Sequence, residues 1–155
     1  MQLTINRKEN IYSKMPDMEV DERIVKFLKR HHVMTLATAT ADGEPYCANA
    51  FYAYDTENNR LVFTSDETTH HAQQMLVNNR VAASVVLETR IVGKVQGLQI
   101  CGTAKQGDDI DRKVYLRRFP YAAAIGELHL WHIEPDFMKF TDNTLGFGKK
   151  LIWRS

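Results

Sequence analysis

The sequence predicts an α+β protein, mainly β, in which six to seven antiparallel strands close into a split β-barrel with flanking helices. Three observations lead there. Apolar and β-branched runs recur at short spacing, over residues 33–40, 45–54, 61–63, 81–88 and 98–105, as strands of a meandering sheet do. The connections Asp42-Gly43 and 55–59 are hairpin-length, which makes the strands they join antiparallel neighbours. Helical periodicity is confined to segments at the start, after the third strand and after the fifth, so helices flank one sheet instead of alternating with parallel strands.

Taken in order, residues 1–16 carry few apolar positions and end in Met15-Pro16, the pattern of an arm that orders only by docking. Residues 17–155 read as a single domain, long enough to bury roughly two-thirds of its chain surface without a metal or disulfide. Val20, Ile24, Phe27 and Leu28 fall at i, i+4, i+7 and i+8 and mark a first helix; its late Lys29-Arg30-His31-His32 suits the negative end of the helix dipole. The hairpin follows, then the short strand 61–63 and a second helix over 68–77. In the strand 98–105, Gly102 suggests a bulge or a close backbone approach. A third helix over 108–119 ends at Phe119-Pro120, because proline disfavours a helical residue before it. Two strands, 129–133 and 137–140, are expected on either side of Glu134-Pro135; a polar, Gly-rich loop over 141–150 precedes Leu151-Ile152-Trp153.

Composition excludes several classes of function. Lys and Arg number 20 against 19 Asp and Glu, a net charge of +1 with no run of like charges, so nothing marks a nucleic-acid or anionic-membrane surface. No apolar stretch approaches the roughly 20 residues that span a bilayer, and residues 1–13 lack the apolar core of a signal peptide, which places the protein in the cytoplasm. Cys47 and Cys101 are far apart in apolar runs and read as buried free thiols. His129 and His132 have strand spacing that sends them to opposite faces, and no metal site is expected.

The informative stretch is 61–75, LVFTSDETTHHAQQM, where a strand passes into a helix. Thr64, Ser65, Thr68, Thr69, His70 and His71 gather where the first amides of a helix lack partners, a position that attracts phosphate. The same residues also describe a well-capped helix, with Asp66 or Thr68 as the cap and no ligand.

With these pieces in view, the chain resembles the pyridoxamine 5'-phosphate oxidase-like family of FMN-binding split barrels, and within it a bacterial YhbP-like branch. The resemblance rests on Asn49-Ala50-Phe51, on Ser65 with Thr69-His70-His71-Ala72-Gln73, on Arg117-Arg118-Phe119-Pro120 and on the block 140–150, FTDNTLGFGKK. It implies an FMN-dependent oxidoreductase acting on a small molecule, a homodimer with flavin at the subunit interface. Thr64, Ser65, Thr69, His70 and His71 would hold the FMN phosphate; Asn49, Ala50 and Phe51 would run along the isoalloxazine ring, and Gln99, or alternatively Gln96, would approach it. Ala48 stands where the oxidases place a phosphate-binding arginine, and the cationic helix positions are histidines here. Lys149 and Lys150 would touch substrate or the partner subunit, or form a solvated loop pair. No residue reads as a dedicated acid or base. The alternative is a flavin- or haem-binding protein without turnover, used for storage or sensing; a small structural domain with an empty cleft is a third possibility.

Overall fold

The computed structural model describes residues 19–146 and 149–155; the arm expected at 1–16 lies outside them. Along the chain run α1 (Glu22–Arg30), β1 (Val33–Ala39), β2 (Pro45–Asp55), β3 (Arg60–Thr64), α2 (His70–Val77), β4 (Arg80–Leu87), β5 (Gln96–Gln106), α3 (Asp109–Arg118), β6 (Leu130–Asp142) and β7 (Lys150–Arg154). The strand order is β3-β2-β1-β4-β5-β6-β7, and a further β3–β6 pairing closes six strands into an antiparallel barrel with β7 appended to β6. Closure gives most of the ladder groups a partner and leaves β7 as an extra edge.

The interior follows from alternation along each strand. Met34 and Leu36 of β1, Val81, Ala83 and Val85 of β4, and Leu98 and Ile100 of β5 point inward and are essentially buried, joined by Tyr52, Phe63, Trp131 and Met138. Ile24, Phe27 and Leu28 carry the apolar stripe of α1 into the same core. On the outside, α3 and the turn after it pack Tyr115, Phe119 and Ala122 against Ala53 of β2 and Val62 of β3, a second and smaller core.

Three details differ from the sequence reading. The two strands expected around Glu134-Pro135 are one continuous β6. Pro135 is tolerated because β6 changes neighbours there: residues up to Ile133 pair with β3 and those from Phe137 pair with β7, so the missing N–H interrupts neither ladder. On its other side β6 carries a bulge opposite Cys101 and Gly102. A Cβ at Gly102 would lie 2.4 Å from the Glu134 carbonyl oxygen, which explains the glycine inside β5. Second, the thiols are not buried: Cys47 is exposed and Cys101 half-buried, because their strand positions face outward. Third, His31 is not a helix-end charge. It stacks on Phe27 at 4.3 Å, and burial, with Arg30 and His32 nearby, lowers its pKa, so the ring is neutral at pH 7.

Two clamps hold α3 to the barrel. At its start, the Asp108 side chain accepts from the Asp111 amide and the Asp111 side chain accepts from the Asp108 amide, a reciprocal cap. Asp111, wholly buried, also lies 2.5 Å from His132 Nδ1 of β6 and 3.4 Å from Arg60 Nη1 of β3. At the other end, Arg118 donates to the carbonyls of Lys29 (2.8 Å) and His31 (2.6 Å), satisfying acceptors that α1 leaves open. Arg118, at the end of one helix, thus caps another.

Candidate functional site

The site forms where β3 runs out. Ser65 extends the β3–β6 ladder by one bond, its amide donating to the His129 carbonyl, while Trp131 Nε1 donates to the Ser65 carbonyl. The residue is therefore held on both backbone sides before its hydroxyl is considered. Asp66 then makes a local turn, accepting from the Thr68 amide at 2.8 Å and the Thr68 hydroxyl at 2.6 Å. These bonds hold the Asp66 carboxyl below its usual pKa, and it stays ionised. α2 begins at His70 with Thr69 as its N-cap, one residue beyond Thr68 and three beyond Asp66, the caps weighed from sequence; Thr69 Oγ1 accepts from the Ala72 amide.

Ser65 Oγ lies 3.1 Å from Thr69 Oγ1 and 2.5 Å from His71 Nε2, and His71 Nε2 is 3.4 Å from Thr69 Oγ1. Three polar tips converge at the start of α2, where the amides of His70 and His71 have no acceptor within the helix. Burial, reinforced by His70, lowers the His71 pKa, so in this state it is an uncharged imidazole exchanging a hydrogen bond with a serine hydroxyl.

Around this point is an open pocket of about 280 Å³. Asn49, Ala50, Phe51, Thr64, Ser65, Thr69 and His71, seven of the residues singled out from sequence, line it together. Asn49 is steadied by the Thr35 hydroxyl at 3.0 Å. Two further lining residues were missed: Asp66, which the sequence reading treated only as a cap, and Tyr115 of α3. Tyr115 is about fifty residues away along the chain, and only the docking of α3 brings it here; no local signal marks it.

The remaining assignments lie elsewhere. His70 points away from Ser65, edge-on to the Tyr46 ring at 4.6 Å and 3.2 Å from Gln74. Gln99 is exposed on β5, paired with Ser84 and Lys139, in the same lateral row as Asn49 and Thr35 but three strands from the pocket. Gln96 is structural, bridging Arg30 and Asp142. Lys149 and Lys150 border a separate cleft of about 230 Å³ with Arg23 and Asp142. Ala48 pairs with Leu36, and the pocket lining contains neither lysine nor arginine. Among the described residues no three His, Cys, Asp or Glu side chains gather as metal ligands, and no helix is long and apolar enough to cross a membrane.

Comparison with known proteins decides the family. The family model for pyridoxamine 5'-phosphate oxidase matches residues 20–142, the barrel and α3 together. The chain belongs to the pyridoxamine 5'-phosphate oxidase family. Within it, UPF0306 protein YhbP of Salmonella paratyphi A is 41% identical over 140 residues, covering 88% of this chain and 94% of the relative. Among solved structures, a haem-binding protein from Mycobacterium smegmatis superposes with a TM-score of 0.67 at 15% identity, covering 83% of this chain and 55% of that one. An FAD-binding protein from Mesorhizobium loti superposes with a TM-score of 0.59 at 19% identity, covering 75% and 87%. At such identities the two structures speak for the family fold alone.

Proposed function

We propose that the chain is an FMN-binding flavoprotein, a cytoplasmic oxidoreductase acting on a small molecule as a homodimer with flavin at the subunit interface. The observation that carries this reading is the convergence of Ser65, Thr69 and His71 on the unsatisfied amides of α2. A phosphate seated there would receive hydroxyl and amide hydrogen bonds from a rigid strand end and a helix start. Thr64 flanks it, and Asn49, Ala50 and Phe51 form a wall for a flat ring.

The donors fit a flavin phosphate once the Thr69 hydroxyl turns from the Asp66 carbonyl, to which it donates at 2.7 Å; the charge fits only in part, since His71 is the one ionisable base of the lining and starts neutral. A pocket of about 280 Å³ is also below the usual range for a whole cofactor, about 300–1,000 Å³. Both shortfalls support a second subunit completing the site. Beside the pocket, Phe51 is 55% exposed and pairs across the sheet with Val33, 44% exposed, while Val86 of β4 is 59% exposed. An apolar outer sheet face of this kind is what a second copy would cover.

When bound, the flavin would supply the electron transfer. The protein's part is to anchor the phosphate through Ser65 and Thr69, to fix the ring against β2, and to keep solvent out with Phe51 and Tyr115. Equimolar FMN added to the purified protein and followed by desalting tests the reading. A flavin absorbance band near one per subunit is expected, bleached anaerobically by NAD(P)H. A colourless protein overturns it.

A non-catalytic binder remains the second reading, favoured by the absence of lysine and arginine from the pocket lining. Flavin retained but never reduced by NAD(P)H, or haem taken up in place of FMN, would establish it.

A further inference from the structure

The lysines and arginines missing from the pocket at Ser65 gather in a second cleft beside α3. There, a cleft of about 550 Å³ opens between α3, the end of α1 and the β2–β3 turn. Lys113 and Arg117 of α3, Lys29 of α1 and Arg118 border it. Among the described residues, Lys29, Lys113 and Arg117 have no carboxylate within ion-pair distance. Arg118 is anchored by two backbone carbonyls, which direct the guanidinium without cancelling its charge.

Two acidic residues also border the cleft. Asp55 is buried, and its oxygens are occupied by the turn: the amides of Glu57 and Asn58 and the Asn58 side chain all donate to it. Glu57 is exposed on the outer turn and, among the described residues, makes no ion pair. Four cations against two carboxylates, one of them already satisfied, leave the cleft positive. Its apolar floor is half-buried Val114 and Ile110, 49% exposed, with Ala53 buried beneath them.

We propose that this cleft binds a small phosphorylated molecule of nucleoside diphosphate type, its phosphates held by Lys113, Arg117 and Lys29 and its base lying on the apolar floor. The size is within the usual range for small-molecule sites. Arginine and lysine placed side by side suit a diphosphate, the first as a planar fork and the second as a mobile point charge. Solvated surface cations would be expected to spread out; here Lys113 and Arg117, one helical turn apart on α3, repel each other and line the same cleft as Lys29, an arrangement that an anion relieves. The site does not depend on the flavin reading, because none of its lining residues lines the pocket at Ser65, Thr69 and His71.

The test is calorimetric titration of ADP into the full chain at low ionic strength, with and without saturating FMN, using adenosine and an oligoglutamate peptide as controls. The proposal expects a dissociation constant on the order of 10–100 μM for ADP, none measurable for adenosine or the peptide, and no effect of FMN. Lys113→Glu combined with Arg117→Glu should weaken ADP by at least about tenfold while leaving the thermal midpoint and FMN binding unchanged. Lys29→Ala, a milder change, should weaken it in the same direction. ADP giving no heat at millimolar concentration overturns the proposal, as does undiminished binding by both variants. FMN displacing ADP would show one shared site, and tight peptide binding would make the cleft a surface for acidic proteins; either result also overturns it.

Discussion

His71 and His132 each sit 2.5 Å from an oxygen atom, yet they do different work. His132 is 4% exposed and faces Asp111, which is wholly buried and shared with Arg60 and the α3 cap. Arg60 also reaches Asp108 at 3.1 Å and His132 also reaches Glu134 at 3.4 Å, so the cluster is a network centred on the buried Asp111. His71 faces a neutral hydroxyl at the rim of an open pocket, and burial keeps its ring uncharged. A histidine locked to a buried carboxylate is a fastening; a histidine on a serine beside unsatisfied amides can exchange its partner for a ligand. Short hydrogen bonds alone do not separate the two roles, whereas the charge of the partner and access to solvent do.

The largest expected effect breaks the fastening. Asp111→Ala should cost about 3–5 kcal/mol in denaturant unfolding, since Arg60 and His132 keep only the more exposed Asp108 and Glu134 and the α3 cap opens. A loss under about 1 kcal/mol would mean that the cluster behaves as an exposed pair and that α3 is held mainly by Tyr115 and Phe119.

A smaller effect separates capping from phosphate binding on the pocket side. Thr69→Ala removes an N-cap and should lower stability by about 1 kcal/mol. If Thr69 also contacts phosphate, FMN affinity falls by about tenfold, as for a lost hydrogen bond to an anion, while riboflavin, which lacks the phosphate, binds as before. Equal losses for the two ligands would leave Thr69 as a cap and nothing more.

The smallest effect reads the charge on His71. Its pKa is depressed in the unliganded fold, so it contributes stability above the unfolded value of about 6.5 that is lost as pH falls through the folded value. A bound phosphate dianion has the opposite influence and raises the pKa, so binding takes up a proton. FMN affinity should therefore decline by several-fold as pH rises from about 6 to about 8, with riboflavin flat over the same range. His71→Lys should flatten the FMN curve. Parallel profiles for FMN and riboflavin would show that His71 never carries charge against the phosphate.

Much of the pocket was legible because it is local. Residues 64–71 are contiguous, and their hydroxyl and imidazole groups at a strand-to-helix junction mark a helix start whose chemistry suits either a cap or an anion. Asn49 to Phe51 came from family resemblance, and they meet Ser65 because β2 pairs with β3 in the barrel. His70 was grouped with His71 by adjacency, but neighbouring residues on a helix lie about 100° apart, so only one of the two faces the pocket. Gln99 shares an outward row with Asn49, and row position along a strand says nothing about how many strands intervene.

Local chemistry and periodicity thus determined the strands, the three helices, the antiparallel class and the hydroxyl-rich helix start, since each is written in residues close along the chain. Tertiary structure alone decided the rest. It carried β6 through Pro135 at the point where its partners change, turned both cysteines outward, and neutralised His31 by burial against Phe27. It also laid α3 across the barrel, so that Tyr115 borders one pocket while Lys113 and Arg117 border another. These outcomes depend on which distant surfaces meet and on how much water that meeting removes, neither of which a local window of sequence contains.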